Sequence, residues 1–267
     1  MKYSGVITLT TDFGHKGPFA AVMRGVILTR NPSAHVIDLA HDIPPQWPPE
    51  AGFWISRAYS YFPKGTIHIA IVDPGVGTER DILIVEHDEH LFIAPDNGLL
   101  ATLLDSSDTA RVWQLDNRRL AVMKLDKPSD TFHGRDIFAP IAAELAAGRV
   151  SLQEISNPVQ SWTPGWIDEP ECSADRISGT IVTIDAFGNL ISNIDAALIA
   201  DFKEPVAEIA GHQLNMLSTY GRAKPGDLLA LVNSFSVIEI AKSEGSAAEG
   251  LGLGRGAPLI MRDGFST

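Results

Sequence analysis

Residues 66–72 read Thr-Ile-His-Ile-Ala-Ile-Val and stop at Asp73-Pro74-Gly75. A nearly unbroken apolar run has no polar face to turn towards water. It predicts a strand buried on both sides, at the centre of a parallel sheet with helices on each face. The flanking text agrees. Residues 6–13 are β-rich, and 35–39 form another short strand. Between them, residues 19–29 place Phe19, Val22, Met23, Val26 and Ile27 at helical spacing. Residues 50–61 read as a second helix carrying Phe53, Trp54, Ile55, Ala58 and Tyr59. Segments 81–86 and 91–94 flank a polar turn and read as a hairpin. Residues 98–104 and 136–147 are further helices, the latter stopped by Gly148. This alternation predicts an α/β N-terminal domain with a mainly parallel central sheet over residues 1–156.

Residues 157–173 hold Pro158, Pro164, Gly165 and Pro170 without periodicity, which reads as a linker, with Trp162 and Trp166 covering it or an interface. From 174 to 267 the chain reads as β only. Short β-rich segments at 177–184, 206–209, 228–232, 237–241 and 258–261 are punctuated by Gly, Asp, Asn and Pro. They predict a smaller all-β antiparallel, barrel-like C-terminal domain.

Charge narrows the function classes. The chain has 33 acids against 21 bases, a net charge of −12, whereas a nucleic-acid binder carries a basic excess. An acidic protein suits a cationic or zwitterionic small molecule, and equally it is simply soluble. Cys172 is the one cysteine, so neither a disulfide framework nor a multi-cysteine metal site can be built within one chain. That fits a reducing compartment. No signal-peptide core and no run of about 18 apolar residues occurs, so the cytoplasm is the expected location and no membrane is expected.

Four segments put polar residues at the ends of apolar strands, where open α/β sheets bind ligands. Asp12, in Thr-Thr-Asp-Phe-Gly, either accepts hydrogen bonds from a ribose diol or caps a turn. In the loop 72–80, Asp73 and Arg80 meet if the loop returns on itself. The pair is then either functional or a structural clamp. It is no phosphate loop, because the Gly-Lys-Ser/Thr ending is missing. The turn Pro95-Asp96-Asn97-Gly98 caps a helix or lines a site. His133, followed by Gly134, Arg135 and Asp136, stands at a loop-to-helix junction and is a natural proton acceptor near neutral pH. In the β-rich half, Asp185 and Asn189 bracket Phe187. Ser234 and the segment Gly245-Ser246-Ala247-Ala248 offer hydroxyls and open backbone for a carboxylate or a purine edge, or simply turn hairpins. His41-Asp42 and His87-Asp88-Glu89-His90 could suggest a metal, but the latter set lies at a hairpin tip and reads as solvated turn residues.

The ordered set TTDFG, VDPGVGTER, APDNGLL, FHGRDIFAP, FGN and the late NS…GSAA resembles the S-adenosyl-L-methionine hydroxide adenosyltransferases, the water-using relatives of fluorinating and chlorinating enzymes. The resemblance runs from about residue 8 to about residue 260. It implies hydrolysis of S-adenosyl-L-methionine to adenosine and L-methionine, with no metal and no cofactor. It implies a homotrimer whose sites lie between the N-domain of one subunit and the C-domain of its neighbour. Asp73, Arg80 and His133 match the family's catalytic triad. Asp12 matches the ribose ligand, Asp185 the ammonium contact, Asn189 an adenine contact and Ser234 the carboxylate contact. Ser246 and Ala248 fall on the adenine edge. The segment DAFGN is one residue shorter than the DRPFGN of the fluorinating enzymes. Gly134 replaces the serine they use for halide, and together with the retained triad this favours water. The alternatives are a halide-using adenosyltransferase and a non-catalytic binder of adenosine or S-adenosyl-L-methionine.

Overall fold

A computed structural model describes residues 1–264 apart from 106, 124 and 126. The chain divides into two compact units, 1–166 and 167–267.

In the first unit the strands are β1 (Val6–Thr11), β2 (His35–Ala40), β3 (Ile67–Ile71), β4 (Ile82–His87), β5 (His90–Pro95), β6 (Arg111–Leu115) and β7 (Ser156–Pro158). They form one sheet in the order β2-β1-β3-β5-β4-β6-β7. The stretch β2-β1-β3-β5 is parallel, and β4, β6 and β7 are added antiparallel. The run at 66–72 is indeed interior. Its alternation sends Ile67, Ile69 and Ile71 into one core and Ala70 and Val72 into another. Helix α1 (Phe19–Arg30) buries Ala20, Met23 and Ile27, one face at helical spacing, and sets Met23 and Ile27 in the first core. Helix α2 (Pro48–Ala58) starts on prolines and buries Ala51 and Ile55 in the second, beside α3 (Ala101–Asp105).

Three local expectations change. The helix expected at 98–104 is shortened to α3, because residues 97–100 are held in a turn. The helix expected at 136–147 begins with a π-helical turn, Gly134–Phe138, and continues as α4 (Ala139–Ala146). The histidines at 87–90 are not solvated. Asp88 and Glu89, at φ 47° and 63°, make a two-residue turn that pulls His90 into the sheet base. There His68 Nδ1 bonds Thr8 Oγ1 at 2.8 Å and His68 Nε2 bonds His90 Nδ1 at 3.1 Å. His87 bonds Ser107 Oγ at 2.9 Å and Tyr59 at 3.2 Å.

The stretch 157–173 is more structured than a plain spacer. Helix α5 (Leu152–Ile155), closed by a Ser151/Glu154 capping box, leads into β7 at its start. β8 (Glu171–Cys172) pairs with β9 (Arg176–Ile184) at its end.

The second unit adds β10 (Leu190–Asp195), β11 (Pro205–Ile209), β12 (His212–Asn215), β13 (Leu228–Val232), β14 (Val237–Lys242) and β15 (Pro258–Asp263). The order is β12-β11-β15-β9-β10-β14-β13, antiparallel throughout. A bridge between Met216 and Ala230 links its two ends, so the sheet is a nearly closed barrel. Its interior holds Ile177, Ile181, Leu190, Ile194, Ile238, Ile240 and Met261. The unit is not β only, because the helix α6 (Ala247–Leu251) follows β14.

Candidate active site

The parallel strands of the first unit end together, and their carboxyl ends carry Asp12, Asp73 and Asn97. Asp73 stands two residues past β3. The loop after it turns back on Gly75 and Gly77, with Thr78 Oγ1 donating to Gly75 O at 2.7 Å. This return brings Arg80 onto Asp73. Arg80 Nε lies 3.0 Å from both carboxylate oxygens, and Nη2 also donates to Oδ2. The side chains are 11% and 5% exposed, so the pair is desolvated and mutually dependent.

Gly77, at φ +77°, brings the same loop against the segment before His133. A Cβ there would sit 2.1 Å from Asp130 O. Arg80 Nη2 is 3.0 Å from His133 Nδ1, and its guanidinium lies over the Phe138 ring, 5.7 Å from the centroid. Burial, then the charge of Arg80, pushes the His133 pKa down, so the ring is neutral near pH 7. A guanidinium only donates, so Nδ1 must accept. The proton of neutral His133 therefore sits on Nε2. The sequence suggests His133 as a proton acceptor, but in this geometry its free edge is a donor.

Asp12 follows β1 and accepts Gln46 N–H at 3.0 Å. Burial raises its pKa, and the nearby Asp73 adds to the rise. The other charged pair of the FHGRD motif does different work. Asp136 accepts from Ser129 N and Oγ and from Arg135, which holds its pKa down at about 2 and clamps the turn before His133.

The remaining expected site residues lie in the second unit. Asp185 Oδ1 accepts Phe187 N–H and Asn189 N–H, each at 2.9 Å, and Oδ2 accepts Asn189 Nδ2 at 2.9 Å. Asp185 thus shapes its own loop and retains lone-pair capacity for one more donor. Asn189 is buried and spends Nδ2 on that bond. The loop docks on the start of α6. A Cβ on Gly188 would lie 2.1 Å from Ser246 Oγ, and Ala248 N donates to Gly188 O at 2.9 Å. Ser246 Oγ accepts Glu249 N–H as an N-cap at 3.1 Å. Asp185, Asn189, Ser246 and Ala248 therefore form one patch, although the Ala248 N–H is already used within it. Ser234 is exposed at the β13–β14 turn.

Two groups that the sequence reading names without giving them a role also bear on the site. Glu239 is 2% exposed, and accepts Tyr220 Oη–H at 2.7 Å and Asn233 Nδ2 at 3.1 Å. Burial raises its pKa, and the charge of Asp185 adds to the rise. Asn233 in turn accepts Phe235 N–H and caps the turn bearing Ser234. An acid inside Val-Ile-Glu-Ile-Ala was the available signal. Phe138 was the other, an aromatic five residues after His133. Among the described residues no group of three or more His, Cys, Asp and Glu stands ready for a metal.

An α/β unit that ends its central strand on a half-buried Asp–Arg–His array, followed by a β-barrel unit with an Asx-capped loop, defines a narrow class. Residues 7–156 match the model of the SAM hydroxide adenosyltransferase N-terminal domain, and residues 179–260 match that of its C-terminal domain. The chain belongs to this family. An (R)-S-adenosyl-L-methionine hydrolase of Thermus thermophilus is 35% identical, over 94% of this chain and 97% of that one. A fluorinase of Actinopolyspora mzabensis is more distant, 23% identical over 98% of this chain and 95% of that one. In the crystal structure of an uncharacterized conserved protein from Thermotoga maritima the fold recurs with a TM-score of 0.87 at 31% identity, over 96% of this chain and 99% of that one.

Proposed function

We propose that this protein hydrolyses S-adenosyl-L-methionine to adenosine and L-methionine, and that its preferred substrate is the epimer with the R configuration at sulfur. The observation that carries the reading is the desolvated Asp73–Arg80 pair joined to a neutral His133. Four relatives at 30–35% identity, all named (R)-S-adenosyl-L-methionine hydrolase, support the substrate and its configuration.

A sulfonium is a good leaving group and departs as a neutral thioether, so little acid catalysis is needed there. The nucleophile is the difficulty. The water gives up one proton to solvent, the hydroxide so formed attacks C5′ as the C5′–S bond breaks, and the bonding pair passes to sulfur. Arg80 stabilises the negative charge growing on that oxygen, and His133 Nε2–H donates to it. Asp73 fixes Arg80. In-line placement supplies much of the remainder, since proximity effects reach several kcal/mol. The attack inverts C5′. Asp12 holds the ribose, while Asp185, Asn189, Ser234, Ser246 and Ala248 take the methionine and adenine ends. The scheme uses substrate and water and calls on no further group.

A homotrimer with sites shared between subunits accompanies this reading. Its support is that the catalytic residues and the Asp185–Ser246 patch lie on different compact units. A cytoplasmic location is supported by the single, free Cys172. Among the described residues no helix is long and apolar enough to cross a membrane.

Purified protein is incubated with each sulfur epimer in halide-free buffer and the products are separated by chromatography. Adenosine and methionine in equal amounts, faster from the R epimer and lost in His133→Ala, support the proposal. Ligand binding without products, or products only when halide is added, overturns it.

A further inference from the structure

The turn after β5 reaches the catalytic loop from behind. Asn97 Nδ2 donates to Val72 O at 2.8 Å, the carbonyl immediately before Asp73. Its Oδ1 accepts Leu99 N–H at 3.2 Å, which fixes the amide orientation. The same turn is gripped from outside by residues 163–166. Trp166 Nε1 donates to Asn97 O at 2.8 Å. Thr163 N donates to Asp96 Oδ1 at 2.8 Å and Thr163 Oγ1 to Asp96 O at 3.2 Å. The approach requires Gly98, which has φ +86° and where a Cβ would lie 2.4 Å from Pro164 O and 3.0 Å from Trp166 Cδ1.

Trp166 is also linked, through Trp47 and Gln46, to the other carboxylate, Asp12. Its ring meets Trp47 edge to face, with centroids 5.8 Å apart and planes at 86°. Trp47 follows Gln46, whose φ of 62° aims its N–H at Asp12 Oδ2, 3.0 Å away. A positive φ on glutamine is held only where the surroundings enforce it. One line of contacts therefore runs Asp12, Gln46, Trp47, Trp166, Asn97, Val72, Asp73, all within the first unit.

We propose that the segment Thr163 to Trp166 is a positioning strap, in which Trp166 and Asn97 set the aim of Asp73 and the Trp166–Trp47 contact sets that of Asp12. The inference rests on the reading of Asp73 as part of the catalytic array and Asp12 as a substrate ligand. Neither Trp166 nor Asn97 is a catalytic residue. Each acts through the backbone of its neighbour, where a displacement of about 1 Å is enough to cost ~10²-fold in rate.

The strap makes its two contacts through different atoms, so variants separate them. Asn97→Asp keeps the acceptor for Leu99 and replaces the donor to Val72 with a repelling oxygen. It is expected to lower kcat about 10- to 100-fold at unchanged KM. Trp166→Phe keeps a ring against Trp47 and loses the N–H, lowering kcat alone. Trp166→Ala loses both contacts, so kcat falls and KM rises. Thermal melts of each variant separate these effects from loss of fold. The titration of His133, followed by NMR of the labelled imidazole, reads the same displacement without turnover. It should rise in Asn97→Asp and Trp166→Phe, as Arg80 shifts with Asp73 and its charge opposes the imidazolium less. If kcat, KM and the His133 titration all stay at their wild-type values, the strap is only structural and the inference falls. A wild-type protein that releases no adenosine counts against the hydrolase reading alone, because the titration still decides the strap.

Discussion

Arg80→Lys is the most informative change to the catalytic array. It keeps a positive charge beside Asp73, so the buried carboxylate is not stranded. Stranding it would cost about 3–5 kcal/mol of stability and confuse the result. What lysine cannot keep is the fork. Arg80 contacts both oxygens of Asp73 from Nε at 3.0 Å and His133 from Nη2 at 3.0 Å. A single ammonium reaches one of these partners and leaves the other, so the donor that faces the growing oxygen charge is no longer held in place. Loss of one preorganised donor is worth roughly 2.7–4 kcal/mol, or ~10²- to 10³-fold in kcat. Because Arg80 acts on water and not on the adenosyl or methionine moieties, KM should stay within about threefold of wild type. The assay is adenosine release at saturating substrate, with a thermal melt and an adenosine titration on the same preparations. A variant that retains kcat within about threefold would refute the role assigned to Arg80, and so would a loss carried wholly by KM.

The buried histidines at the sheet base predict acid sensitivity. His68 is fully buried, and burial, with His90 adding, lowers its pKa to about 3. The unfolded chain takes up that proton near pH 6.5, whereas the folded one does not until about pH 3. Stability is therefore complete above pH 6.5 and lost as pH falls through that window, by roughly 2 kcal/mol at pH 5. Urea midpoints measured at pH 7 and pH 5 test this, and His68→Leu should flatten the slope. Gly134→Ser restores the residue of the halogenating enzymes without their chemistry. Its Cβ would lie 3.0 Å from Met23 Sδ, 3.2 Å from Phe132 Cε2 and 3.4 Å from Ile71 Cδ1. We expect a loss of about 1–3 kcal/mol from overpacking and no chlorinated or fluorinated adenosine when halide is supplied.

Much of this architecture was legible because apolar period is a strong signal. The run at 66–72 located the interior strand, and the spacing of Met23 and Ile27 located α1. β10 and β12 leave little trace in the sequence because Leu-Ile-Ser-Asn-Ile-Asp and His-Gln-Leu-Asn mix polar residues into the alternation. α6 is invisible in the sequence because a five-residue helix has too few turns to show a period, although its cap Ser246 stands among the expected site residues. The burial of His90 is not legible in the sequence, because hairpin register, not composition, decides which side of a two-residue turn is buried. The meeting of Asp73 and Arg80 could be inferred from the glycine-rich loop that separates them by seven positions. The approach of His133 could not, since it depends on Gly77 packing against Asp130, a tertiary contact without local trace. Nor does sequence show which ring nitrogen of His133 is free.

The π-helical turn that follows His133 places a numerical condition on the chain. Ala139 N–H bonds Gly134 O, a five-residue step where an α-helix takes four. Beyond it, α4 is locked in the core by Ile141, Ala142 and Leu145, so it cannot rotate to absorb a change. Deleting one residue between 134 and 138 would let the turn relax to an ordinary α-helix, and would swing everything before it by about 100° around the helix axis. His133 would then leave Arg80 although every side chain of the array was still present. The direction in which this imidazole points is thus recorded in how many residues the turn contains, a property that no scan of single substitutions would reveal.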